Sequence, residues 1–474
     1  RVQRAGGTVA ANGLVFTGPP SAGLYLQAFD SDAAANGFLV VALTNTAPGG
    51  HFGFLSELNG ATVTGWPAAA PFVWTGNADS DWNNTANWLD GVVPSATDSV
   101  TIQAIATNGP DIVSPTTLRA LVNESAVAAV TLAAVPLTIT ERLVTLYGGP
   151  GINCSGTPAL IIAPTTAATV AGRVACDVVI SGSGTTTLSD SLLADVQLRI
   201  EGTGQLDVAG RYLRVLDSLI TENSGTLVMT TPGGLVEASG DAHFRGGATT
   251  GLLTDGVLLL RRNLIQTGAT NAFNASGDHI TRFTTEGVQT VSFLNPGTDG
   301  AASHFAHMEI AQAPTSRVDL LSDISIVGQL RDQMASIAQL RGDAVRRIVS
   351  ANGTNLTGIR LDRVLLSLTD GAPVDAMSDV VFDSLGVFSD QFVVSRSGGT
   401  VPLVNPVFVE LPQDGYQLMT ITDVAPLDND TLRIVVTNPT PGGTSGLVTL
   451  IGGAQLLGWP VVGAETWTGA GGNN

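Results

Sequence analysis

Three consecutive segments, set one above another, constrain this chain's fold more than any other feature. VVISGSGTTTL (Val178–Leu188) aligns with LRIEGTGQLDV (Leu198–Val208) at an offset of 20, and LITENSGTLVM (Leu219–Met229) follows after a further 21. Apolar residues recur at Ile180 and Ile200, and at Leu188, Val208 and Met229. Glycine recurs at Gly184, Gly204 and Gly225. Within each segment the apolar residues alternate, which is the period of a strand. The recurring glycine is expected at the bend, where positive φ costs it little. A strand, a turn and a strand every ~20 residues is the beat of a β-solenoid. One coil cannot bury its apolar face alone; stacking buries it and pairs each strand with the one below. VQTVSF (Val288–Phe293), HFAHMEI (His304–Ile310), RVDLLSDISIVGQL (Arg317–Leu330) and VDAMSDVVFDSL (Val374–Leu385) read the same way. The predicted fold is all-β, a right-handed β-solenoid. Gln329–Val349 has apolar spacing that also suits a helix, but its surroundings favour strand and loop.

A second, longer repeat frames the first. Thr44-Asn45, Pro48-Gly49-Gly50, Trp66-Pro67 and Trp74-Thr75-Gly76 recur at an offset of 393 as Thr437-Asn438, Pro441-Gly442-Gly443, Trp459-Pro460 and Trp467-Thr468-Gly469. Upstream the offset is 392, and Gly6-Gly7-Thr8-Val9 and Val15-Phe16 recur as Gly398-Gly399-Thr400-Val401 and Val407-Phe408. Short strands separated by Asp, Asn, Gly and Pro turns make each copy a small antiparallel sandwich-like connector, or a wider end of the solenoid. The expected organisation is a connector over 1–73, a solenoid over 74–392, a second connector over 393–466, and the start of a further repeat over 467–474.

Composition narrows the function. The net charge is −19, and all 21 basic residues are arginine. Nucleic acid needs clustered cations, so it is excluded as a partner, as is an anionic membrane surface. No apolar run is long enough for a membrane span. The chain starts at Arg1 with no apolar signal segment, as expected of a processed product or part of something longer.

The stretch WTGNADSDWNNTANWLDGVVP (Trp74–Pro94) holds three of the six tryptophans. Trp74, Gly76, Trp82, Asn87-Trp88, Gly91, Pro94, Asp98 and Val100-x-Ile102 together resemble a motif of large repetitive bacterial cell-surface β-helix proteins, autotransporter passengers or adhesin-like chains. The likeness covers about 30 residues strongly and the coils after it loosely. It implies an exported β-helical protein and names no activity; no membrane barrel is visible. Physically, large rings can cover the end of a coil stack. An ordinary tryptophan-rich core and an exposed platform for sugars are the other readings.

Few residues suggest chemistry. Asp79, Asp81 and Asn83 place oxygen ligands at i, i+2 and i+4, a loose Ca²⁺ pattern without the glycine and closing glutamate of an EF-hand. Turn capping explains the same residues. Cys154 and Cys176, 22 apart, sit one coil length apart and are candidates for a cross-coil disulfide. His304 and His307 fall on opposite faces of a strand, which spoils chelation. No paired-carboxylate phrase, nucleophile elbow or phosphate loop appears, and no enzyme or cofactor is expected beyond that possible Ca²⁺. The sequence therefore points to a structural module of a tandem-repeat extracellular protein: a fibre, surface layer or adhesive stalk. Its partners would be neighbouring copies or adjacent modules, and possibly surface glycans. A glycan- or partner-binding adhesin module and a β-helix enzyme acting on polysaccharide are the alternatives.

Overall fold

The computed structural model describes residues 71–350, apart from 157–158, 285–286, 312–315, 333–337 and 343–346, and outside that span a set of strands by their backbone. Among the described residues the structure is all-β, and its one helical turn is the 3-10 turn Thr85–Asn87. The chain divides into two units: residues 1–161 with 171–176, and residues 162–170 with 177–474.

In the first unit, parallel strands stack coil upon coil. Phe72–Trp74 pairs with Ser99–Ile102, which pairs with Thr116–Asn123, which pairs with Leu137–Val144. Val100, Leu121 and Leu143 stand in register and are fully buried. A second stack runs Asp111–Ile112, Val130–Ala133, Ile152–Ser155. Here Ile112, Leu132 and Cys154 form one column. Alternation along each strand therefore sends one set of side chains inward, and stacking turns that set into continuous apolar columns.

The second unit repeats the principle over more coils. Val178, Leu198, Leu219, Ala242, Leu264, Val291 and Leu320 form one buried column. Leu192, Leu213, Val236, Leu258, Thr281, Met308 and Leu330 form another. Phe244, Phe273, Phe283, Phe293 and Phe305 fill the interior between columns, with neighbouring ring centroids 4.7–6.1 Å apart and mostly edge-on. That arrangement matches the quadrupole preference of aromatic pairs. The segment that resembled a helix forms the strands Leu330–Asp332, Ala338–Arg341 and Arg347–Ser350.

One expectation needs correction. Gly184, Gly204 and Gly225 do not supply the positive φ of the bend. Gly182 (φ 93°), Gly202 (φ 63°) and Asn223 (φ 58°), two residues earlier in each coil, do that. The recurring glycines are required by close approach. A Cβ at Gly184, Gly204 or Gly225 would run into the backbone of Thr166, Ile180 or Ile200 in the coil below. Glycine is the one residue with nothing there to collide.

Coil length varies at the corners while the ladders stay in register. Between the strands Val288–Phe293 and His307–Ile310, residues 294–306 form a longer turn. The buried amide of Asn274 anchors it, its Nδ2 donating to the carbonyls of Ala302 (2.7 Å) and Asp299 (3.1 Å).

At the connectors, Tyr25–Asp30 pairs antiparallel with Phe38–Ala42, and Phe38–Ala42 with Leu55–Glu57. Val2–Arg4 joins Tyr25–Asp30 in parallel, and Val9–Ala10 joins Val63–Thr64 in parallel. The pairing is thus mixed. The packing of these strands as a sandwich lies outside the described residues.

The interior also holds ionisable rings, and among the described residues His279 is the most deeply buried of them. His279 is fully buried, its Nδ1 lies 3.1 Å from the Asp255 carbonyl, and its Nε2 has no hydrogen-bond partner. Burial depresses its pKa to about 4, against the opposing pull of the Asp255 carbonyl and charge. A base whose folded-state pKa is depressed lends stability at neutral pH. That stability is lost as pH falls through the unfolded value of 6.5 toward about 4. Between those limits the loss should be on the order of 3 kcal/mol, read as a falling urea midpoint. His279→Phe is expected to flatten the same stretch of the pH profile.

Candidate functional site

The tryptophan stretch builds the first described coil of its unit. Trp74 stands in register with Ile102, which stands in register with Asn123. Asp81 bridges to Asp111, so Trp82, the next residue, lies beside the start of the Ile112 column. Trp74 and Trp88 bridge antiparallel, with the Leu89 N–H donating to the Val73 carbonyl at 2.9 Å. The three rings close on one another: Trp74 and Trp82 stack at 6.2 Å, and Trp88 meets both edge-on at 5.1 and 4.8 Å. Trp74 Nε1 donates to the Asn108 carbonyl at 2.8 Å, and Trp88 Nε1 to the Trp82 carbonyl at 2.9 Å. All three are at most 3% exposed, so no flat face is offered to a sugar ring. Trp66, Trp459 and Trp467 lie outside the described residues.

The punctuating residues have separate reasons. Gly76 (φ 61°) leaves no room for a side chain, because a Cβ there would strike the Asn108 carbonyl. Gly91 (φ 65°) is in open space, and its role is the left-handed turn after Trp88. Pro94 leads into a turn in which Asp98 Oδ2 accepts from the Ser95 N–H and hydroxyl, both at 2.7 Å.

Asp79 and Asp81 meet Asn87, and Asn83 joins them through its backbone N–H. The Asp79 carboxylate accepts from the Asp81 N–H (2.9 Å), the Asn87 amide (2.7 Å) and the Asn84 amide (2.8 Å). Asp81 Oδ1 accepts from the Asn83 N–H at 3.0 Å. These are Asx turns in series. The Asn87 and Asn84 amides, with the Asp81 N–H, hold the Asp79 carboxyl below the usual range. Asn87 is fully buried; its Oδ1 accepts from the N–H groups of Ala78 (2.9 Å) and Asp79 (3.0 Å). Its Nδ2 also donates to the Asp81 carbonyl at 3.0 Å. One asparagine thus holds the whole polar loop beneath the tryptophans. Among the described residues no group of three or more His, Cys, Asp or Glu side chains converges as a metal set.

Cys154 and Cys176 are joined by a disulfide with Cα atoms 5.3 Å apart. The ladder explains the meeting. Ile152 pairs with Val174 and Asn153 with Ala175, so the next residues of the two strands are the cysteines.

Sequence reasoning missed a cluster in the other unit. Arg214 and Glu237 stand opposite each other in adjacent coils, and Arg261 follows one coil on. Glu237 Oε2 accepts from the Tyr212 hydroxyl at 2.6 Å, and Oε1 from Arg261 Nε at 2.7 Å. Arg214 lies 3.7 Å from the same oxygen. Burial alone would raise the Glu237 pKa, but the Tyr212 hydroxyl and the two guanidinium groups together hold it lowered. Farther along the column, Arg282 holds the buried Glu309 through Nε at 2.9 Å. Both Glu237 oxygens are committed, so the carboxylate ties coils together. Only the register of the coils could have revealed residues 23–27 apart as neighbours. His304 and His307 do not converge: His304 Nδ1 lies 3.0 Å from the Gly297 carbonyl, and His307 Nδ1 accepts from the Gln329 N–H at 3.1 Å.

Among the described residues no helix is long and apolar enough to cross a membrane. The chain matches no protein-family model, no curated protein and no solved structure. The class its fold defines is the parallel β-solenoid.

Asn87→Ala should cost about 1–2 kcal/mol, because it removes four hydrogen bonds to Ala78, Asp79 and Asp81 at once and leaves a gap at a buried position. Equilibrium urea unfolding followed by tryptophan emission reads this directly. Adding EGTA is expected to leave the wild-type midpoint where it is, since hydrogen bonds already engage the Asp79 carboxylate. Reducing the disulfide, or replacing Cys176 with Ser, opens a loop set by a separation of 22 residues. The stability loss should be about 3 kcal/mol, measured by urea titration with and without reductant.

Proposed function

We propose that this chain is a structural module of a long tandem-repeat extracellular protein, part of a fibre, surface layer or adhesive stalk. The observation that carries the reading is the matching of strand pairings in the two connector copies. Leu26 and Gln27 face Val41 and Val40; at an offset of 393, Met419 and Thr420 face Ile434 and Arg433. Val9 and Ala10 face Val63 and Thr64; their counterparts Val401 and Pro402 face Leu456 and Leu457. A chain that repeats both the sequence and the pairings of one connector around a solenoid has the organisation of a modular array.

Other features support the same reading. Trp74, Trp82 and Trp88 are packed inward, and the charged clusters pair across coils. Both serve cohesion between coils. A cross-coil disulfide suits an oxidising compartment outside the cytoplasm. The tryptophan motif suits a bacterial surface. Neighbouring modules of the same kind are the partners this reading requires.

Electron microscopy of native material provides the test. Filaments or sheets whose axial period matches one module of about 390 residues are expected. Isolated globular particles would overturn the reading.

A further inference from the structure

Among the described residues the triplet Asn-x-Ser/Thr, the acceptor pattern for an N-linked glycan, occurs at Asn83-Asn84-Thr85, Asn123-Glu124-Ser125, Asn153-Cys154-Ser155 and Asn274-Ala275-Ser276. So short a pattern arises by chance, and the fold decides among its occurrences. Three are closed. Asn123 is 2% exposed, and its Nδ2 donates to the Ala128 carbonyl at 2.9 Å. Asn274 is 3% exposed, and its Nδ2 is committed to the Ala302 and Asp299 carbonyls. Asn153 is half-buried in a strand paired on both edges, with Thr131 on one side and Ala175 on the other. Cys154, inside that triplet, is tied to Cys176 in the next coil. A chain held in this way cannot bend out of the stack to meet a second protein.

Asn83 differs in each respect. It lies outside any strand, and both Asn83 and Thr85 are exposed. Asp81 Oδ1 accepts from the Asn83 N–H and Asn84 Oδ1 from the Ala86 N–H, both at 3.0 Å, so two Asx turns bend the chain at the triplet. The other asparagines around it have structural work. Asn84 Nδ2 donates to Asp79, Asn87 holds the loop, and Asn108 Nδ2 donates to the Gly76 carbonyl at 2.8 Å. Among the described residues the Asn83 side chain makes no hydrogen bond; only its backbone N–H is engaged.

We propose that Asn83 is an acceptor for an N-linked glycan, carried on the exposed turn beside the buried tryptophans. The substrate is an activated sugar whose anomeric carbon is esterified to phosphate. Asn83 Nδ2 bonds to that carbon as the bond from carbon to the phosphate oxygen breaks. The phosphate leaves with the electron pair, and the proton from Nδ2 passes to a base of the transferase. The exposed Thr85 hydroxyl is the second group that such a transferase reads. A bulky, hydrated glycan at this turn stands clear of the backbone ladders and of the core. The inference rests on the extracellular part of the reading above, and is independent of how modules assemble.

The test is peptide mass spectrometry of the full-length protein purified from the cells that make it. A sugar increment is expected on the peptide holding Asn83, and none on those holding Asn123, Asn153 or Asn274. Either form of increment upholds the site: a single hexose identifies a nucleotide-linked donor, and an oligosaccharide a lipid-linked one. Expressed in the same cells, Asn83→Gln and Thr85→Ala should each lose the increment, while Thr85→Ser should keep it. Both Thr85 variants retain Asn83, so their difference reads recognition by the transferase. An unchanged urea midpoint for each shows that the fold is intact. A bare Asn83 in native protein, an increment that survives Thr85→Ala, or sugar on Asn123 or Asn274 would overturn the assignment. Native fibres of module period with Asn83 bare would discard the glycan and leave the modular array standing. Glycosylated Asn83 on material that is globular when native would do the reverse.

Discussion

Everything in this protein depends on the parallel backbone ladder between one coil and the next. The ladder fixes which residue lies over which, and it does so in steps of one coil. Each inward position therefore becomes a column, and a column must be apolar along its length or satisfied at each polar member. Leu198 over Leu219 is the simple case. Gln266 is the demanding one: it is fully buried, and its amide is matched by the Ala269 carbonyl and the Leu294 N–H. The glycines at 184, 204 and 225 obey the same constraint from the other side, since the ladder brings neighbouring backbones too close for a side chain.

The contacts that look most specialised are products of that register. The disulfide, the Glu237 cluster and the Arg282–Glu309 pair each join residues one or two coils apart. A chain with low charge can keep buried carboxylates only by pairing them. Here the pairing partner is delivered by the next turn of the coil. Because each coil touches mainly its neighbours, stability accumulates as a sum of such local steps along the stack.

Where coil length is nearly constant, the sequence shows the fold plainly. The alignment of Val178 with Leu198 and Leu219 is the register found in the structure, residue for residue. It was visible because consecutive coils there differ by one residue. Between Leu264 and Arg317 the spacing widens to 27–29 residues, as between Ile280 and His307 or Val288 and Arg317, before it returns to 22 from Met308 to Leu330, and the beat fades. The added residues lie in corners, which carry no periodic signal. The meaning of the recurring glycine was misread for a related reason. Sequence shows that a position excludes side chains, but not whether torsion or a neighbouring backbone is the cause. Of the tryptophan loop, the residue types were legible and the organiser was not. Asn87 holds the loop with bonds to residues six to nine positions away, and nothing in its spacing distinguishes it from Asn83 or Asn84.

The turn over residues 294–306 shows how freely this architecture absorbs extra chain. Its strands remain in register on either side while the corner between them lengthens, held by side chains of the neighbouring coil such as Asn274, Asn271 and Thr250. Corners of this kind are sockets. A recognition loop, an epitope or a whole small domain inserted at one would be displayed at a fixed height on the stack. Copies of the insert on successive modules would then form a ruled array, with a pitch set by the module and not by the insert.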